Sequence, residues 1–446
     1  MSGIAGIAAT GKQEQVKAML GAIQHRGRAG SEIVETKNAT LGVVWTQAQA
    51  NAQRDLKQEL IARDDAGSGH FALAQIVDGK LILKRDPLGV APLYYGRTAE
   101  GVLCFASEMK AMLKVTRDIH ELFPGCTYDS ERSAPYFRLE KQPPNNQSAE
   151  EIVKELRRRL DVAVRKRVGS EPIGVWLSGG LDSSTMAALA RQYAGTLYTF
   201  SSGLAGAPDL EYARAVADFI KSKHYEVIVG LEDLLNALPH VIYHLESFDA
   251  LLVRSSITNY LVSQRASEHV AAVFSGEGGD EFFAGYAYLK SLDPAALPDE
   301  LIDIADRLHN TALQRVDRSA SAHGTIAHVV FCDPEVFDYA LRIPVTLKIH
   351  DSVEKWILRR AMDGALPEGV LKRTKAKFWQ GAGVGELLAA HALEKITDAE
   401  FHRERALPNG WKLNSKEELM YYRVFKEHFG DLDLDWMGRT KGAPVQ

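Results

Sequence analysis

The chain has 446 residues, of which 46% are apolar, and its 53 Lys and Arg against 58 Asp and Glu give a net charge of −5. This ordinary globular composition excludes a disordered chain, a collagen and a disulfide scaffold, and the length predicts two or three domains. The slightly acidic balance argues against bulk nucleic-acid binding, although it leaves room for a local basic pocket.

The amino-terminal residues lack the basic region and the long apolar run of a signal peptide, and no stretch approaches the ~20 apolar residues that a membrane span needs. Cys104, Cys126 and Cys332 lie far apart and form no CxxC pair, so neither a disulfide framework nor a zinc site is expected. We therefore expect a cytoplasmic protein that does not contact a membrane.

Residues 1–140 are predicted to form a β-rich domain, because short apolar runs recur there between turn signals. The runs GIAGIAA, LGVVW and GVLCFAS are typical of strands. The clearest element is a hairpin, in which FALAQIV and KLILKRD lie on either side of Asp78-Gly79. That dipeptide tolerates the positive φ angles of a type I′ turn.

A break in composition over residues 141–150, with Pro143 and Pro144, indicates a linker. Ser148 and Glu151 then form a capping-box pattern, which predicts a helix that runs to about Arg167.

A second domain is predicted over residues 151–435, followed by a frayed tail at 436–446. Its apolar runs PIGVWL, TLYTF, HYEVIV and VAAVFSG alternate with helical segments, which indicates βαβ units and a parallel sheet. From about Asp299 onward the pattern is mostly helical, and it includes VEKWILRRAMDGAL as one helix.

The strongest motif is a serine- and glycine-rich loop that follows the first of these strands and opens a helix. Glycines let the backbone approach an anion there, and the free N–H groups and dipole of the helix attract phosphate. Asp182 can hold the magnesium ion that accompanies a polyphosphate. The alternative is a Gly-Ser turn that only caps the helix. The loop consists of Ser178, Gly179, Gly180, Leu181, Asp182, Ser183 and Ser184.

A second glycine-rich loop, SGEGGDE at residues 275–281, follows another predicted strand. Two such loops at the carboxyl ends of strands in one α/β sheet define a ligand crevice. Glu277, Asp280 and Glu281 would repel one another unless a cation or an amine lies among them. Metal-bound pyrophosphate and an amine nucleophile would each meet that demand, whereas the alternative is a solvated acidic turn.

These two loops, together with GLAGAPDL, VIYHLESFD and RTKAKF in the same order, resemble the bacterial glutamine-dependent type of asparagine synthetase over roughly Glu151 to Phe429. The SGGLDSS loop resembles that of the ATP-pyrophosphatase superfamily. In the first domain, RDPLGVAPLYY, FASEMKAML and His25-Arg26-Gly27 look like the same family. The resemblance implies an α/β protein: a shortened β-rich domain of the Ntn-hydrolase type, then a parallel-sheet ATP-pyrophosphatase domain with a helical carboxyl-terminal part.

The resemblance also implies the chemistry and its cofactors, ATP and Mg²⁺. A carboxylate attacks the α-phosphate of ATP to give an acyl-adenylate and pyrophosphate, and an amine then displaces AMP. Site roles carried over by position place residues 178–184 on pyrophosphate, Asp182 and Asp280 on magnesium, and Leu177, Gly203, Ser275 and Gly276 along the adenosine. They place Glu277 at the acyl-adenylate, and Arg254, Lys375 and Lys377 beside pyrophosphate.

The first domain departs from the family. Glutamine-dependent members carry a nucleophilic cysteine at position 2, where this chain has Ser2, and their NGEIYN and SDxE segments are absent here. A serine nucleophile is the alternative, but the missing partners predict that glutamine hydrolysis is lost. The domain is then a structural remnant or is reused for binding.

The synthetase domain departs from the family at the acyl site. A threonine pair ahead of Arg254 is replaced by Leu251 and Leu252, and an aspartate ahead of Arg315 by Ala312. In the run GTIAHVVFCD, a glutamate and an arginine are replaced by Ile326 and His328. A site built to bind a zwitterion discriminates strongly, so these changes put aspartate in doubt.

We therefore predict an AMP-forming amide ligase that joins ammonia or another amine to a carboxylate, which need not be aspartate. β-Lactam synthetases, relatives that also lack the cysteine, replace the glutamate that this chain keeps as Glu277. The alternatives are an ammonia-dependent asparagine synthetase and an inactive nucleotide-binding scaffold. The expected partners are small molecules, with no nucleic acid and no membrane, and the sequence leaves open whether the chain forms a homodimer.

Overall fold

The computed structural model describes residues 2–49, 59–63, 69–129, 131–373 and 382–440. Two antiparallel sheets form the first domain, which confirms the predicted β-rich fold. The first sheet has the order β2-β3-β1-β8-β7-β9, and the second has the order β11-β10-β6-β5-β4. The strands are β1 (Gly3–Ile7), β2 (Gly30–Glu35), β3 (Thr40–Trp45), β4 (Glu59–Arg63), β5 (Phe71–Val77), β6 (Lys80–Arg85), β7 (Tyr94–Arg97), β8 (Leu103–Ala106), β9 (His120–Glu121), β10 (Cys126–Tyr128) and β11 (Ser133–Pro135).

The predicted hairpin is present as β5 and β6. Its turn residues Asp78 and Gly79 have φ angles of 49° and 75°, as a type I′ turn requires. Ile4 and Leu41 of the first sheet share an apolar core with Ala74 and Leu83 of the second, so the sheets pack face to face. The outer face of the first sheet is covered by the helices α1 (Gln13–Ala22) and α2 (Met109–Met112).

The second domain contains the predicted parallel sheet, in the strand order β14-β13-β12-β15-β16. All four strand pairings are parallel. From β12 the chain adds β13 and β14 on one side of the sheet, and it then adds β15 and β16 on the other side. The loops after β12 and β15 therefore face one crevice. The strands are β12 (Ile173–Trp176), β13 (Leu197–Gly203), β14 (Lys223–Ile228), β15 (Ala272–Ser275) and β16 (Ile326–Val329), and a separate hairpin is formed by β17 (Ile349–His350) and β18 (Val353–Glu354).

Helices surround the parallel sheet and make up most of the chain after it. The first begins with the predicted capping box, in which Ser148 accepts from the Glu151 amide and Glu151 accepts from the Ser148 amide. The helices are α3 (Ala149–Arg165), α4 (Leu181–Arg191), α5 (Pro208–Ile220), α6 (Leu231–Leu245), α7 (Ala250–Ser267), α8 (Gly279–Phe283), α9 (Leu297–Asp306), α10 (Ala312–Ser321), α11 (Pro334–Leu341), α12 (Val345–Lys348), α13 (Trp356–Ala361), α14 (Glu368–Leu371), α15 (Gly385–Lys395), α16 (Asp398–Glu404) and α17 (Lys416–Phe429).

The structure differs from the sequence predictions in the carboxyl-terminal part. The helix predicted to start at Val353 starts at Trp356, because Val353 and Glu354 form β18 and Lys355 has a left-handed φ of 55°. The edge strand β16 was not predicted either, since a short apolar run in a helical region carries no period of its own. Trp436 and Met437, predicted to belong to a frayed tail, are buried in the core.

The two domains share buried apolar surface. Val44 of β3 and Met109 and Met112 of α2 lie in one cluster with Val241 and Leu245 of α6. Within the residues that the structure describes, no helix combines the length and apolarity needed to cross a bilayer.

Candidate active site

The first glycine-rich loop connects β12 to α4. Gly180 caps the helix, and the hydroxyl groups of Ser178 and Ser183 lie 3.1 Å apart. The Ser178 amide donates to the Ser183 hydroxyl, and that hydroxyl lies 3.2 Å from the Gly180 carbonyl. Two hydroxyl groups and the N-terminus of an 11-residue helix therefore meet at one point, which suits an anion.

Gly179 fixes the path of this loop. Its φ of 68° is left-handed, and a Cβ at this position would lie 2.4 Å from Tyr212 Cβ and 2.6 Å from the Ala213 amide nitrogen. Arg373 holds the loop from the other side, since its guanidinium donates to the Ser178 carbonyl at 3.2 Å. Arg373 also pairs with Asp209 on α5, so the loop is held against that helix.

The second glycine-rich loop connects β15 to α8 and packs directly on the first. A Cβ on Gly276 would lie 2.7 Å from the Ser183 amide nitrogen and 2.9 Å from the Asp182 carbonyl carbon. The two loops therefore touch through their backbones at the start of α4. Ser275 is buried, as is Ser184 on the first turn of α4.

Asp182 and Asp280 meet at one buried cation, the ammonium group of Lys355. The Lys355 Nζ lies 2.5 Å from Asp280 Oδ1 and is also paired with Asp182. The Lys355 side chain is 2% exposed, so these charges attract strongly with little screening by water. Carboxylates from both loops thus converge on one positive charge, which belongs to a lysine of the chain and not to the predicted magnesium ion.

The same two carboxylates fit Mg²⁺. Among the described residues, no group of three or more His, Cys, Asp or Glu is arranged to hold a metal. Two convergent aspartates without a third ligand suit Mg²⁺, which usually keeps waters and substrate phosphates in its shell.

Sequence reasoning missed Lys355. It lies 173 residues from Asp182 in the chain, and the predicted helix gave it no special conformation. On the predicted helix, Lys355 lies on the same face as the apolar residues Leu358 and Met362. A lysine on an apolar face was the one available signal that this side chain is buried.

Glu277, the predicted acyl-site carboxylate, is paired with Arg315 of α10. Glu281 is buried beside it and accepts a hydrogen bond of 2.5 Å from the Tyr286 hydroxyl. Burial, together with the charges of Asp280 and Glu277, raises the pKa of Glu281 to about 7. The loop is therefore an organised acidic site rather than a solvated turn.

The remaining predicted site residues in the described part of the chain contact elements outside the two loops. Leu177 is buried at the end of β12, where its amide donates to the Phe200 carbonyl at 2.7 Å. Gly203 ends β13, and a Cβ there would lie 3.3 Å from the Ala382 carbonyl oxygen. Arg254 of α7, expected beside pyrophosphate, forms an ion pair with Glu417 on α17. Lys375 and Lys377 lie outside the described residues.

The positions that are substituted at the predicted acyl site are mostly apolar or buried. Leu252 and Ile326 are buried in the core, and Leu251 is half-buried at the start of α7. His328 is buried with its ring 5.5 Å from the ring of Phe274.

At the amino terminus, Ser2 is 4% exposed and its carbonyl accepts from Arg26 Nε at 3.4 Å. The rest of the Arg26 guanidinium binds Asp317 and Glu108, with contacts of 2.6–2.8 Å. The side chain that lies against Ser2 therefore has its charge already paired.

Comparison with known proteins gives two family matches. The asparagine synthase family model matches residues 155–301 and 291–441, and the glutamine amidotransferase domain model matches residues 61–157.

Two relatives of similar sequence agree with these matches. The chain is 35% identical to the glutamine-hydrolysing asparagine synthetase 2 of Arabidopsis thaliana, over 80% of this chain and 66% of that protein. It is 33% identical to the glutamine-hydrolysing asparagine synthetase B of Escherichia coli (strain K12), over 82% of this chain and 70% of that protein. The chain thus spans about two thirds of the length of these relatives. A solved structure of NMN synthetase from Francisella tularensis covers 65% of this chain and 98% of its own, at 13% identity and a TM-score of 0.29.

Proposed function

The chain belongs to the asparagine synthase family, and on that premise we propose that it is an ATP-dependent, AMP-forming amide ligase supplied with ammonia or another amine instead of glutamine. The observation that carries this proposal is the convergence of Asp182 and Asp280 on one buried cation at the point where the two glycine-rich loops touch. A scaffold protein would gain nothing from bringing two carboxylates together at the N-terminus of α4, where Asp182 lies in the first turn.

In the proposed reaction, a substrate carboxylate attacks the α-phosphorus of ATP and releases pyrophosphate. The hydroxyl groups of Ser178 and Ser183 and the N–H groups of α4 bind the leaving phosphates. Asp182 and Asp280 share the Lys355 ammonium group in this structure, and each would offer its second carboxylate oxygen to Mg²⁺, which would neutralise charge on pyrophosphate. Lys355, held between these aspartates, adds a fixed positive charge on the same side.

The amine then attacks the acyl carbon, and AMP leaves. Glu277 is suited to accept the proton that an ammonium ion must lose, because its carboxylate lies at the mouth of the second loop and is 24% exposed. Arg315 fixes the orientation of that carboxylate through their ion pair.

Independence from glutamine is supported by the buried surroundings of the amino-terminal residue Ser2. Ser2 stands where the family carries cysteine, and it is buried against an arginine whose charge is paired with Asp317 and Glu108. The glutamine amidotransferase match begins at residue 61 and does not include this region.

The acyl substrate is proposed to be a carboxylate other than aspartate, because Leu251 and Ala312, which stand where the family carries a threonine and an aspartate, cannot pair with a second carboxylate or an ammonium group. A second candidate, an ammonia-dependent asparagine synthetase, is favoured by the identity to proteins of that name.

Product analysis separates these proposals. The protein is incubated with ATP, Mg²⁺ and either [15N]ammonium or glutamine, with aspartate or each acid of a panel of amino acids and short carboxylic acids. We expect ammonium-dependent AMP and a labelled amide with one acid of the panel, and no glutamate from glutamine. Asparagine as the only product would establish the second candidate. Glutamate release would contradict glutamine independence, and ADP as the product would contradict an adenylating ligase.

A further inference from the structure

A network of six buried charged side chains crosses the boundary between the two domains. Its net formal charge is zero, since three members are basic and three are acidic. Every member is 5% exposed or less, measured on the side chain. The first domain contributes Arg26, Glu108 and Lys110, and the second contributes Glu246, Asp317 and Arg318.

Arg26 makes the most directional contacts of this network. Its Nη1 and Nη2 atoms bind the two Asp317 oxygens at 2.8 and 2.7 Å, and Nη1 also binds Glu108 at 2.6 Å. The forked geometry of a guanidinium on a carboxylate fixes orientation as well as distance. Arg318 extends the network, with Glu108 at 3.3 Å and Glu246 at 3.1 Å.

An apolar seam would join the domains at a lower desolvation cost, because buried ion pairs often stabilise no more than apolar side chains of similar volume. The directional contacts therefore have a different role, which is to fix the positions of the elements that carry them. Asp317 and Arg318 both lie on α10, and Glu246 also accepts from the amides of Met109 and Lys110 at 3.1 and 2.7 Å. The first domain thus binds both α10 and Glu246, which lies in the segment before α7.

The same helix carries the partner of the proposed catalytic carboxylate. Arg315, which pairs with Glu277, lies two residues before Asp317 on the 10-residue helix α10. A helix turns every 3.6 residues and behaves as a rigid rod over this length, so fixing Asp317 fixes where Arg315 enters the site. Gln314 adds a contact from the same turn, since its side-chain amide donates to the Leu245 carbonyl at 2.8 Å.

We infer that Arg26 is a positioning residue for amide formation, and that the first domain is retained because it supplies one side of the network that sets α10 against Glu277. This inference rests on the proposed ligase function. It gives the shortened domain a role that does not involve glutamine.

The test compares the variants R26M and R26M/D317L with wild type and with R97M, a control that alters an exposed arginine of the same domain. The single variant leaves the buried Asp317 with Arg318 but without its two-pronged contact to Arg26, whereas the double variant removes both charges and restores charge balance. Activity is measured per folded protein, with the acid and ammonium identified by product analysis of the wild type.

We expect the double variant to regain most of the thermal stability that R26M loses, while kcat stays at least 10-fold below wild type in both. The KM for the carboxylate should rise at least 3-fold, and the KM for ATP should change less than 2-fold, because the phosphate loop is not on α10. R97M should match wild type.

The inference would be overturned if folded R26M had a kcat and a carboxylate KM within 2-fold of wild type. If R26M does not fold, the same result for the double variant would overturn it. Recovery of both stability and kcat in the double variant would also overturn it, since the network would then be structural only. Wild type without amide formation from any acid would instead be a failure of the proposed function.

Discussion

The pair of Glu277 and Arg315 is the contact on which the proposed amine step depends. In Glu277→Gln the amide cannot accept a proton from ammonium and loses its ion pair with Arg315. We expect kcat for amide formation to fall roughly 100-fold, within the range for loss of a general base. The measurement is ammonium-dependent AMP release, with the fold checked by circular dichroism.

Glu268→Gln is the matched control, because Glu268 is an exposed partner of Arg265 on the surface. It should leave amide formation unchanged. Amide formation by Glu277→Gln at the wild-type rate would show that Glu277 has no part in proton transfer.

The residues of the site differ in how far the sequence could predict them. The loop residues from Ser178 to Ser184 follow one another in the chain, so their shared chemistry is visible as a motif. Lys355 and Arg315 reach the loops only through the tertiary fold, and no local pattern places a lysine between two aspartates. Arg254 was predicted to lie beside pyrophosphate, but its partner in the structure is Glu417, and that pairing depends on where α17 packs.

At the scale of elements, the loop between β12 and α4 requires a glycine at position 179. Gly179→Ala would pay about 1–2 kcal/mol for the left-handed backbone and would press its Cβ on Tyr212 and Ala213. We expect at least a 10-fold rise in the KM for ATP and a lower unfolding temperature, measured by initial rates and calorimetry.

Gly195→Ala is the matched control for this variant, because a Cβ there would meet no atom within 4 Å. It should preserve the KM for ATP. Equal KM values in the two variants would mean that the loop does not depend on the conformation of Gly179.

Elements with a strong local period were predictable and are confirmed. The β5–β6 hairpin and the capping box of α3 rest on residues within one turn of each other. The strand β16 and the β17–β18 hairpin were not predictable, because they are two to four residues long and are stabilised by pairing across the fold. The start of α13 was predicted three residues early because Lys355 leaves the helical conformation to reach the two aspartates.

At the scale of the whole molecule, stability should depend on pH through one buried lysine. Lys348 is 2% exposed and forms no ion pair with any described residue, and burial alone lowers its pKa from 10.5 to about 7. Between these pH values the unfolded chain binds more protons than the folded chain, so stability rises with pH.

Lys348→Met removes this dependence. We expect the variant to be more stable than wild type at pH 7, and its advantage to shrink by about 1.4 kcal/mol per pH unit toward pH 10. Chemical denaturation at several pH values measures this difference. Lys17→Met, at an exposed position on α1, should show no such slope, and a pH-independent difference for Lys348→Met would contradict the assignment.

The most direct test of the ligase assignment is carboxylate-dependent exchange of labelled pyrophosphate into ATP, because exchange reports adenylation before any amine is needed. Wild type and Asp182→Asn are compared with aspartate and with a panel of other amino acids and short carboxylic acids. We predict exchange by the wild type with one acid of the panel, and a loss of at least 100-fold in Asp182→Asn. The ligase assignment would be contradicted if the wild type exchanged with none of the acids, or if Asp182→Asn exchanged at the wild-type rate.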